Sequence, residues 1–470
     1  MPHTNDYSML FSGIDVEIPT LNGQHRRYIN LDNAASTPPF RGVLNSVNEF
    51  SNYYSSVHRG NGFKSQLSTH AYEAAREAVI KFVGGDPRYH TCIFGKNTTE
   101  AINKLARRYP FSDQRGIVVT SGMEHHSNDL PWRSVADVIH VGLTADGRLD
   151  EEKFNETLET YSNKIALVAI TGASNVTGFI NPYHYLAEKT HAVGAKIVLD
   201  CAQLAPHRKI DMLAVNDPAH IDFVVLSAHK LYAPFGSGAL IGLTETFEDG
   251  VPDLTGGGTV DIVTLDEVLW TSPPERDEAG SPNTIGAIAL AAAINQLESI
   301  GMEKVAEHEA HLTSYTLDQL NKIDGIKVYG DPDPKQASER LGVIPFNMQD
   351  ISHFLVSAIL GYEYGVGVRN GCFCAHPYVL HLLNISQSRS QQVQNQIING
   401  DRSNMPGFVR ASFGLYNSKD DVDLLIDASQ HILAGRYQGN YIQDRATGDF
   451  IPQGWSPNYE DYFHIHNFIK

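Results

Sequence analysis

The sequence predicts an α/β protein built on a mostly parallel β-sheet, followed by a smaller α+β unit. Apolar, β-branched runs alternate with helical segments over roughly residues 60–300, and such alternation is typical of a parallel sheet covered on both faces. Two of these runs, 195–200 and 222–227, are separated by a segment long enough for a crossover connection, so we expect neighbouring parallel strands. After Gly301 the composition shifts to amphipathic helix and shorter strands.

The individual elements follow from periodicity and from turn residues. Strands are predicted at 27–32, 91–94, 116–120, 164–171, 195–200, 222–227 and 239–243, with shorter ones at 325–329 and 341–346. Helices are predicted from about 68 to 82, after the turn at 95–97, and at 285–299. The polar, Gln- and Asn-rich stretch 384–408 indicates a loop or a marginal helix.

These shifts suggest four parts of the chain. They are an N-terminal segment (1–30), a large domain (31–300), a small C-terminal domain (301–436) and an aromatic-rich tail (437–470). The tail has no periodicity, and we expect it to pack on the protein's own dimer.

Composition excludes several classes of partner. A formal net charge of -18 argues against nucleic acid and against an anionic membrane surface. We see no signal peptide and no run of about 18 apolar residues. The 4 cysteines are too few for a disulfide framework in 470 residues, so we expect reduced thiols and a cytoplasmic location.

A lysine and an aspartate are predicted to meet at one edge of the sheet. Asp200 ends the first strand of the central pair, and Lys230 follows the second in the run Ser-Ala-His-Lys. Ligands of such sheets bind outside the carboxyl ends of the strands. This pair suits pyridoxal 5'-phosphate, whose aldehyde takes a Lys as a Schiff base and whose pyridine nitrogen is kept protonated by an acid. The alternative is a surface Lys and a helix-capping Asp.

Thr98 and Thr99 lie where a helix is predicted to begin. Free backbone N–H groups and two hydroxyls at that point would form an anion site. Capping of the helix by a Thr with Glu100 nearby explains the same residues and is compatible with anion binding.

Eleven short motifs, in this order along the chain, resemble a known family. They are Leu-Asp-Asn-Ala-Ala-Ser (31–36), Val-His-Arg-Gly (57–60), Asn-Thr-Thr-Glu-Ala-Ile-Asn (97–103), Met-Glu-His-His-Ser-Asn (123–128), Ser-Asn-Val-Thr-Gly (174–178), Asp-Cys-Ala-Gln (200–203), Ser-Ala-His-Lys-Leu-Tyr (227–232), Gly-Ser-Pro-Asn-Thr (280–284), Arg-Leu-Gly-Val-Ile (340–344), Arg-Asn-Gly-Cys-Phe-Cys-Ala (369–375) and Val-Arg-Ala-Ser-Phe-Gly-Leu-Tyr-Asn (409–417). Over about residues 28–430 the chain resembles the class V aminotransferase fold family, in its cysteine desulfurase and selenocysteine lyase branch. The resemblance implies the pyridoxal-phosphate-dependent transferase fold of type I, with a seven-stranded type of sheet, and a homodimer.

The resemblance also implies roles for individual residues. For the cofactor ring it implies Lys230 as the Schiff-base lysine, Asp200 at the pyridine nitrogen, Gln203 at the ring hydroxyl and His125 (less favourably His126) stacked on the ring. For the cofactor phosphate it implies Thr98, Thr99, Ser227 and His229. It implies Ser281 at the phosphate of the partner subunit's cofactor. For the substrate it implies Arg410 at the carboxylate, Asn175 at the carboxylate or the ring hydroxyl, and His58, Arg59 and Ala34 nearby.

Cys374 decides the chemistry that the resemblance implies. It aligns with the cysteine that attacks the substrate sulfur and becomes a persulfide, and Arg369 would favour its thiolate. The sequence departs from the family where Cys372 and Phe373 replace polar or His residues, and where 171–173 lacks a His. Cys372 is therefore open to three interpretations: a sulfur relay, a disulfide partner of Cys374, or an inert residue.

The resemblance thus predicts an enzyme that converts L-cysteine to L-alanine, with a persulfide on Cys374. The acceptor of the sulfur would be a small thiol or a sulfur-carrier protein. A second hypothesis keeps the fold and cofactor without a cysteine nucleophile: a C–S lyase, amino-acid lyase, epimerase or aminotransferase. A third, a non-enzymatic scaffold that binds partners through its tail, would not need Lys230, Asp200 or Arg410.

Overall fold

The computed structural model describes residues 6–464, and its centre is a seven-stranded sheet. The strand order is β4-β10-β9-β8-β7-β5-β6. The nineteen strands that the structure describes are β1 (Glu17–Pro19), β2 (His25–Arg27), β3 (Ile29–Asn30), β4 (His90–Gly95), β5 (Ile117–Ser121), β6 (Asp137–Val141), β7 (Ile165–Thr171), β8 (Lys196–Asp200), β9 (Phe223–Ser227), β10 (Gly238–Leu243), β11 (Val260–Val263), β12 (Val268–Trp270), β13 (Ile326–Val328), β14 (Val343–Met348), β15 (Val366–Gly367), β16 (Arg369–Gly371), β17 (Phe408–Ser412), β18 (Tyr441–Gln443) and β19 (Phe450–Pro452).

Eleven α-helices accompany these strands over residues 6–464. They are α1 (Arg41–Ser51), α2 (Phe63–Phe82), α3 (Thr98–Arg108), α4 (Glu151–Tyr161), α5 (Tyr183–Ala192), α6 (Thr284–Ile300), α7 (Met302–Leu320), α8 (His353–Tyr364), α9 (His376–Leu382), α10 (Gln387–Ile398) and α11 (Lys419–Leu433).

The sheet is mostly parallel, as the sequence predicts, with one reversed strand. Five neighbours, β9-β8-β7-β5-β6, run parallel, whereas β10 is antiparallel to both β9 and β4. The connection from β9 to β10 contains the glycine-rich turn at 234–238. It holds no α-helix to carry the chain back across the sheet, and parallel neighbours need such a crossover.

Both faces of the sheet are covered, which explains why its central strands are largely apolar. Along β9, Val224 and Leu226 join the hydrophobic core that contains the apolar faces of α1, α2 and α6. Phe223 and Val225 point the other way, into the core that contains α3. Successive side chains of a strand point to opposite faces, so a sheet between two helical layers needs apolar residues at every position.

A second sheet lies in the C-terminal half of the chain. Its order is β13-β14-β17-β16 and all its pairs are antiparallel, so the predicted α+β character of this part is confirmed. β3 pairs in parallel with β15, which ties the N-terminal segment to this half. The domain limits at residues 30, 300 and 436 stay predictions.

Three parts of the chain had been left open or were missed by the sequence analysis. The stretch at 384–408 contains a regular helix, α10, capped by the Ser386 side chain. The edge strand β6 escaped prediction because its residues are half-exposed and interrupted by Asp137 and His140. The tail forms the hairpin β18–β19, which packs on its own chain: Tyr441 donates to Glu363, and the ring of Trp455 contacts that of Tyr362.

No single helix within residues 6–464 is both long and apolar enough to cross a membrane. The successive helices α6 and α7 meet that criterion only as a pair, and they are bent by 78° relative to each other.

Candidate functional site

The central strand pair opens into a cavity at the carboxyl ends of its strands. Asp200 is the last residue of β8, and Lys230 lies in the 3-10 turn that follows β9. The cavity has a volume of about 240 Å³. Most of the predicted cofactor and substrate residues line it: Ala34, Thr98, Thr99, His125, Asn175, Asp200, Gln203, Ser227, His229, Lys230, Cys374 and Arg410.

Asp200 is buried and Lys230 is half-buried beside it, and each alters the ionisation of the other. Burial lowers the pKa of Lys230 to about 8 against the attraction of Asp200, and the charge of Arg410 lowers it further. Burial raises the pKa of Asp200, opposed by a hydrogen bond from the Ala202 amide and by the charge of Lys230. An amine with a pKa near neutrality can act as a nucleophile and can move a proton.

The N-terminus of α3 faces the same cavity. Asn97 caps the helix by accepting from the Glu100 amide. The Thr98 amide and hydroxyl both lie 2.8 Å from the Ser227 hydroxyl, and the Thr99 hydroxyl lies 2.7 Å from that of Ser127. A helix N-terminus ringed by hydroxyls suits an anion such as a phosphate. Capping is present as well, although by Asn97 rather than by a Thr.

His125 and Gln203 lie on the walls of the cavity. Nδ1 of His125 accepts from the Ser127 amide, and burial together with Lys230 lowers the pKa of the His125 imidazole to about 3, so the ring is neutral. The Gln203 amide donates to the backbone oxygen of Ala34. Burial and Lys230 similarly lower the pKa of His229 to about 4.

Arg410, in β17, has a buried guanidinium held at several points. Nη1 donates to the backbone oxygen of Asn175 at 2.9 Å, and Nη2 donates to Oδ1 of Asp32 at 2.8 Å. The guanidinium carbon, Cζ, lies 4.6 Å from the centre of the Phe373 ring. Within residues 6–464, its Nε has no hydrogen-bond partner. A buried cation whose side chain lines the cavity suits a carboxylate ligand.

Cys374 lies on a tight turn at the mouth of the cavity. Of the chain's four cysteines, all within the described residues, it alone is exposed. The turn places the Phe373 ring under Arg410, and the Phe373 carbonyl accepts from the Asn175 side chain at 2.7 Å. Asn175 therefore contacts the Cys374 turn as well as the cavity, a link that the sequence did not indicate.

Cys372 points away from solvent. Its thiol donates to the Pro406 carbonyl at 2.9 Å, and burial raises its pKa to about 12. A thiol that stays protonated is a poor nucleophile, so the inert interpretation fits the structure better than a sulfur relay.

Three predicted site residues lie elsewhere in the single chain. His58, Arg59 and Ser281 line a second cavity, of about 590 Å³, whose wall contains neither Lys230 nor Cys374. His58 lies between the carboxylates of Glu73 and Glu275, at 3.9 and 3.6 Å.

Two further residues were missed by the sequence analysis. Asp32 binds Arg410 and also lies 3.9 Å from Arg369. Its sequence signals were its place in the motif at 31–36 and at the end of a predicted short strand before small residues. His126 was considered only for ring stacking, but its backbone N–H donates to the Cys374 carbonyl.

Comparison with known proteins places this architecture in a family. The aminotransferase class-V family model matches residues 29–425. A probable cysteine desulfurase of Streptomyces coelicolor is 34% identical over 419 residues, which is 86% of this chain and 92% of the relative. A probable cysteine desulfurase of Halobacterium salinarum is 35% identical over 408 residues, covering 85% and 90%.

Solved structures give the same result. The apo cysteine desulfurase of Thermococcus onnurineus is 31% identical with a TM-score of 0.75, covering 87% of this chain and 95% of that one. The cysteine desulfurase CsdA (S-sulfonic acid) of Escherichia coli is 28% identical with a TM-score of 0.74, covering 92% and 99%.

Proposed function

We propose that this chain, which belongs to the class-V aminotransferase family, is a pyridoxal-phosphate-dependent cysteine desulfurase. It converts L-cysteine to L-alanine and takes up the sulfur as a persulfide on Cys374. The observation that carries the proposal is that Cys374, the exposed cysteine, lines the same cavity as Lys230, Asp200 and Arg410.

The donor set of the cavity fits pyridoxal phosphate. Hydroxyls and helix amides at Thr98, Thr99 and Ser227 would hold the phosphate, with His229 beside them. The Asp200 carboxylate would hold the proton of the pyridine nitrogen, and Lys230 would carry the cofactor. His125, which is neutral, would stack on the ring, and Gln203 would reach the ring hydroxyl. When bound, the cofactor supplies an electron sink for bonds to the substrate Cα.

The remaining residues orient the substrate and move its proton. Arg410 would bind the carboxylate of L-cysteine, beside Asn175 and Ala34. Lys230, once free, would take the Cα proton, because its lowered pKa leaves an amine that exchanges protons near neutrality. The Cys374 thiolate would attack the substrate sulfur. One S–S bond forms, the substrate Cβ–S bond breaks, and Cβ gains a proton, so cysteine and a thiol become alanine and a persulfide without an external oxidant.

A homodimer would complete the site. His58, Arg59 and Ser281 lie together around the second cavity, away from Lys230 of the same chain. Ser281 stands where the family resemblance implies contact with the partner subunit's phosphate, so we propose that this group serves the partner's cofactor. A small thiol or a carrier protein would accept the sulfur. The cytoplasmic location and the lack of nucleic-acid or membrane partners stay predictions.

Product analysis with L-cysteine tests the proposal. We expect equal amounts of alanine and thiol-releasable persulfide from the unmodified protein and from Cys372→Ala, and neither product from Cys374→Ala. Pyruvate and ammonia, or activity on another amino acid that survives Cys374→Ala, would instead identify a lyase, epimerase or aminotransferase.

A further inference from the structure

The turn that carries Cys374 has an unfavourable backbone conformation. The Ala375 amide donates to the Cys372 carbonyl at 2.9 Å, which closes a four-residue turn. Both central residues, Phe373 and Cys374, have positive φ angles of 51° and 55°. Type I′ turns have this feature and strongly prefer Gly, Asn or Asp there. A Phe and a Cys persist in it only when surrounding contacts hold them.

Two residues from the region of the large sheet hold the turn. The Asn175 side chain donates to the Phe373 carbonyl, and the His126 amide donates to the Cys374 carbonyl, both at 2.7 Å. The His126 side chain holds the exit of the turn, where α9 begins. Its Nε2 lies 3.1 Å from Nδ1 of His376 and 3.4 Å from the His376 amide, and the two imidazole planes are within 5° of parallel.

This arrangement defines the protons that the pair can carry. Nε2 of His126 faces the His376 amide N–H, so it must be an acceptor, and neutral His126 carries its proton on Nδ1. His376 then donates from Nδ1. Protonation of His376 on Nε2 leaves these contacts intact. Protonation of His126 on Nε2 places its N–H opposite the N–H groups of the His376 amide and Nδ1, so both hydrogen bonds are lost.

We propose that His126 and His376 are positioning residues for the desulfurase reaction: the pair clamps the Cys374 turn while His126 is neutral and releases it when His126 is protonated. This inference rests on the proposed function. Arg410 and Asn175 already contact Phe373 in this turn. The His126–His376 pair is a second group of contacts that controls the position of the Cys374 sulfur.

The surroundings favour the neutral form of His126. Burial and the neighbouring His376 lower its pKa, and Arg133 acts in the same direction, while the carboxylate of Asp129 opposes them. Asp129 is itself paired with Arg133 and His140, which leaves it less free to attract a proton to His126. The His125 ring lies 6.3 Å away and Cys374 adjoins the pair through its carbonyl. Partial desolvation also lowers the pKa of His376, which lies at the surface. His126 is therefore neutral and the clamp intact at and above the usual histidine pKa of about 6.5, and the clamp is lost only as the pH falls through the lowered pKa of His126.

Hydrogen exchange of the cofactor-loaded, full-length protein tests the clamp without reference to turnover. The peptide that covers residues 374–378 is compared in wild type, His126→Ala and His126→Gln, because a Gln oxygen can accept from the His376 amide but does not titrate. At about pH 8 we expect exchange in His126→Ala to be about tenfold faster than in the other two, since an accepted hydrogen bond is lost. His381→Gln, which removes another imidazole from α9, is the matched control and should match wild type.

Alanine formation supplies the kinetic readout. We expect His126→Ala to lower kcat about tenfold with KM changed less than about twofold, because the substrate site is untouched. The ratio of the wild-type kcat to the His126→Gln kcat should decrease as the pH is lowered from about 8 to about 5. Equal exchange in His126→Ala and wild type, or a kcat ratio that does not change with pH, would overturn the inference. If wild type itself forms no alanine, the proposed function fails, and the exchange data alone still decide the clamp.

Discussion

Replacing Arg410 by Lys should selectively weaken binding of the substrate carboxylate. A guanidinium has five N–H donors. One on Nη1 is used by the Asn175 carbonyl and one on Nη2 by Asp32, and Nε is buried, which leaves one N–H on each Nη for a ligand. A lysine ammonium has three donors, and two of them would be taken by the same two partners. At least one charge-assisted hydrogen bond to the carboxylate is then lost.

The magnitude follows from that count. A hydrogen bond to a charged group contributes about 1.5–3 kcal/mol, and about 1.4 kcal/mol corresponds to a factor of ten. We therefore expect KM for L-cysteine to rise about 10- to 150-fold in Arg410→Lys, with a smaller change in kcat.

Steady-state alanine formation measures KM, and cysteamine, which lacks the carboxylate, is the probe that isolates the interaction. Its affinity, read from the visible absorbance of the bound cofactor, should be similar in wild type and Arg410→Lys. The variant must also retain its cofactor and a cooperative thermal transition. A folded, loaded variant whose KM is unchanged, or one that loses cysteamine affinity equally, would refute the assignment of Arg410 to the carboxylate.

Three further outcomes follow from buried groups. Cys372→Ser should retain alanine and persulfide formation within about twofold, because the Cys372 thiol stays protonated against the Pro406 carbonyl; loss of persulfide would make Cys372 a sulfur relay. Burial raises the pKa of Glu124 to about 8, above its unfolded value, so its ionisation destabilises the fold as the pH rises from about 4.5 through 8. Denaturant unfolding should show that Glu124→Gln loses less stability over this range than wild type, and parallel curves would contradict it. Glu363 accepts from the Gln438 and Gly439 amides and the Tyr441 hydroxyl, so Glu363→Ala should cost about 1–3 kcal/mol and expose the tail to limited proteolysis; an unchanged cleavage pattern would show that the tail is held by other contacts.

Local patterns were enough to predict much of the fold. β8 and β9 were found because both of their faces are buried, which forces unbroken apolar runs such as Phe223-Val224-Val225-Leu226, whose side chains alternate between two hydrophobic cores. The sequence predicted β10 as a strand but not its reversed direction, and it did not predict the half-exposed edge strand β6. Strand direction and edge position depend on pairing with residues that are distant in the chain. The tail hairpin likewise exists through its contacts with Glu363 and Tyr362 rather than through its own periodicity.

The sequence by itself determined which chemical groups are available and that Asp200 and Lys230 meet, because strand ends in a parallel sheet converge on one edge. Only the tertiary structure decided how groups from distant segments are paired. Asp32 binds Arg410 across 378 residues of chain, and Asn175 reaches Phe373 across 198. It also separated the two cysteines, since Cys372 and Cys374 differ by two positions but a turn with positive φ buries one and exposes the other. Burial and partners arise from three-dimensional packing, and they decide which of two identical thiols can react.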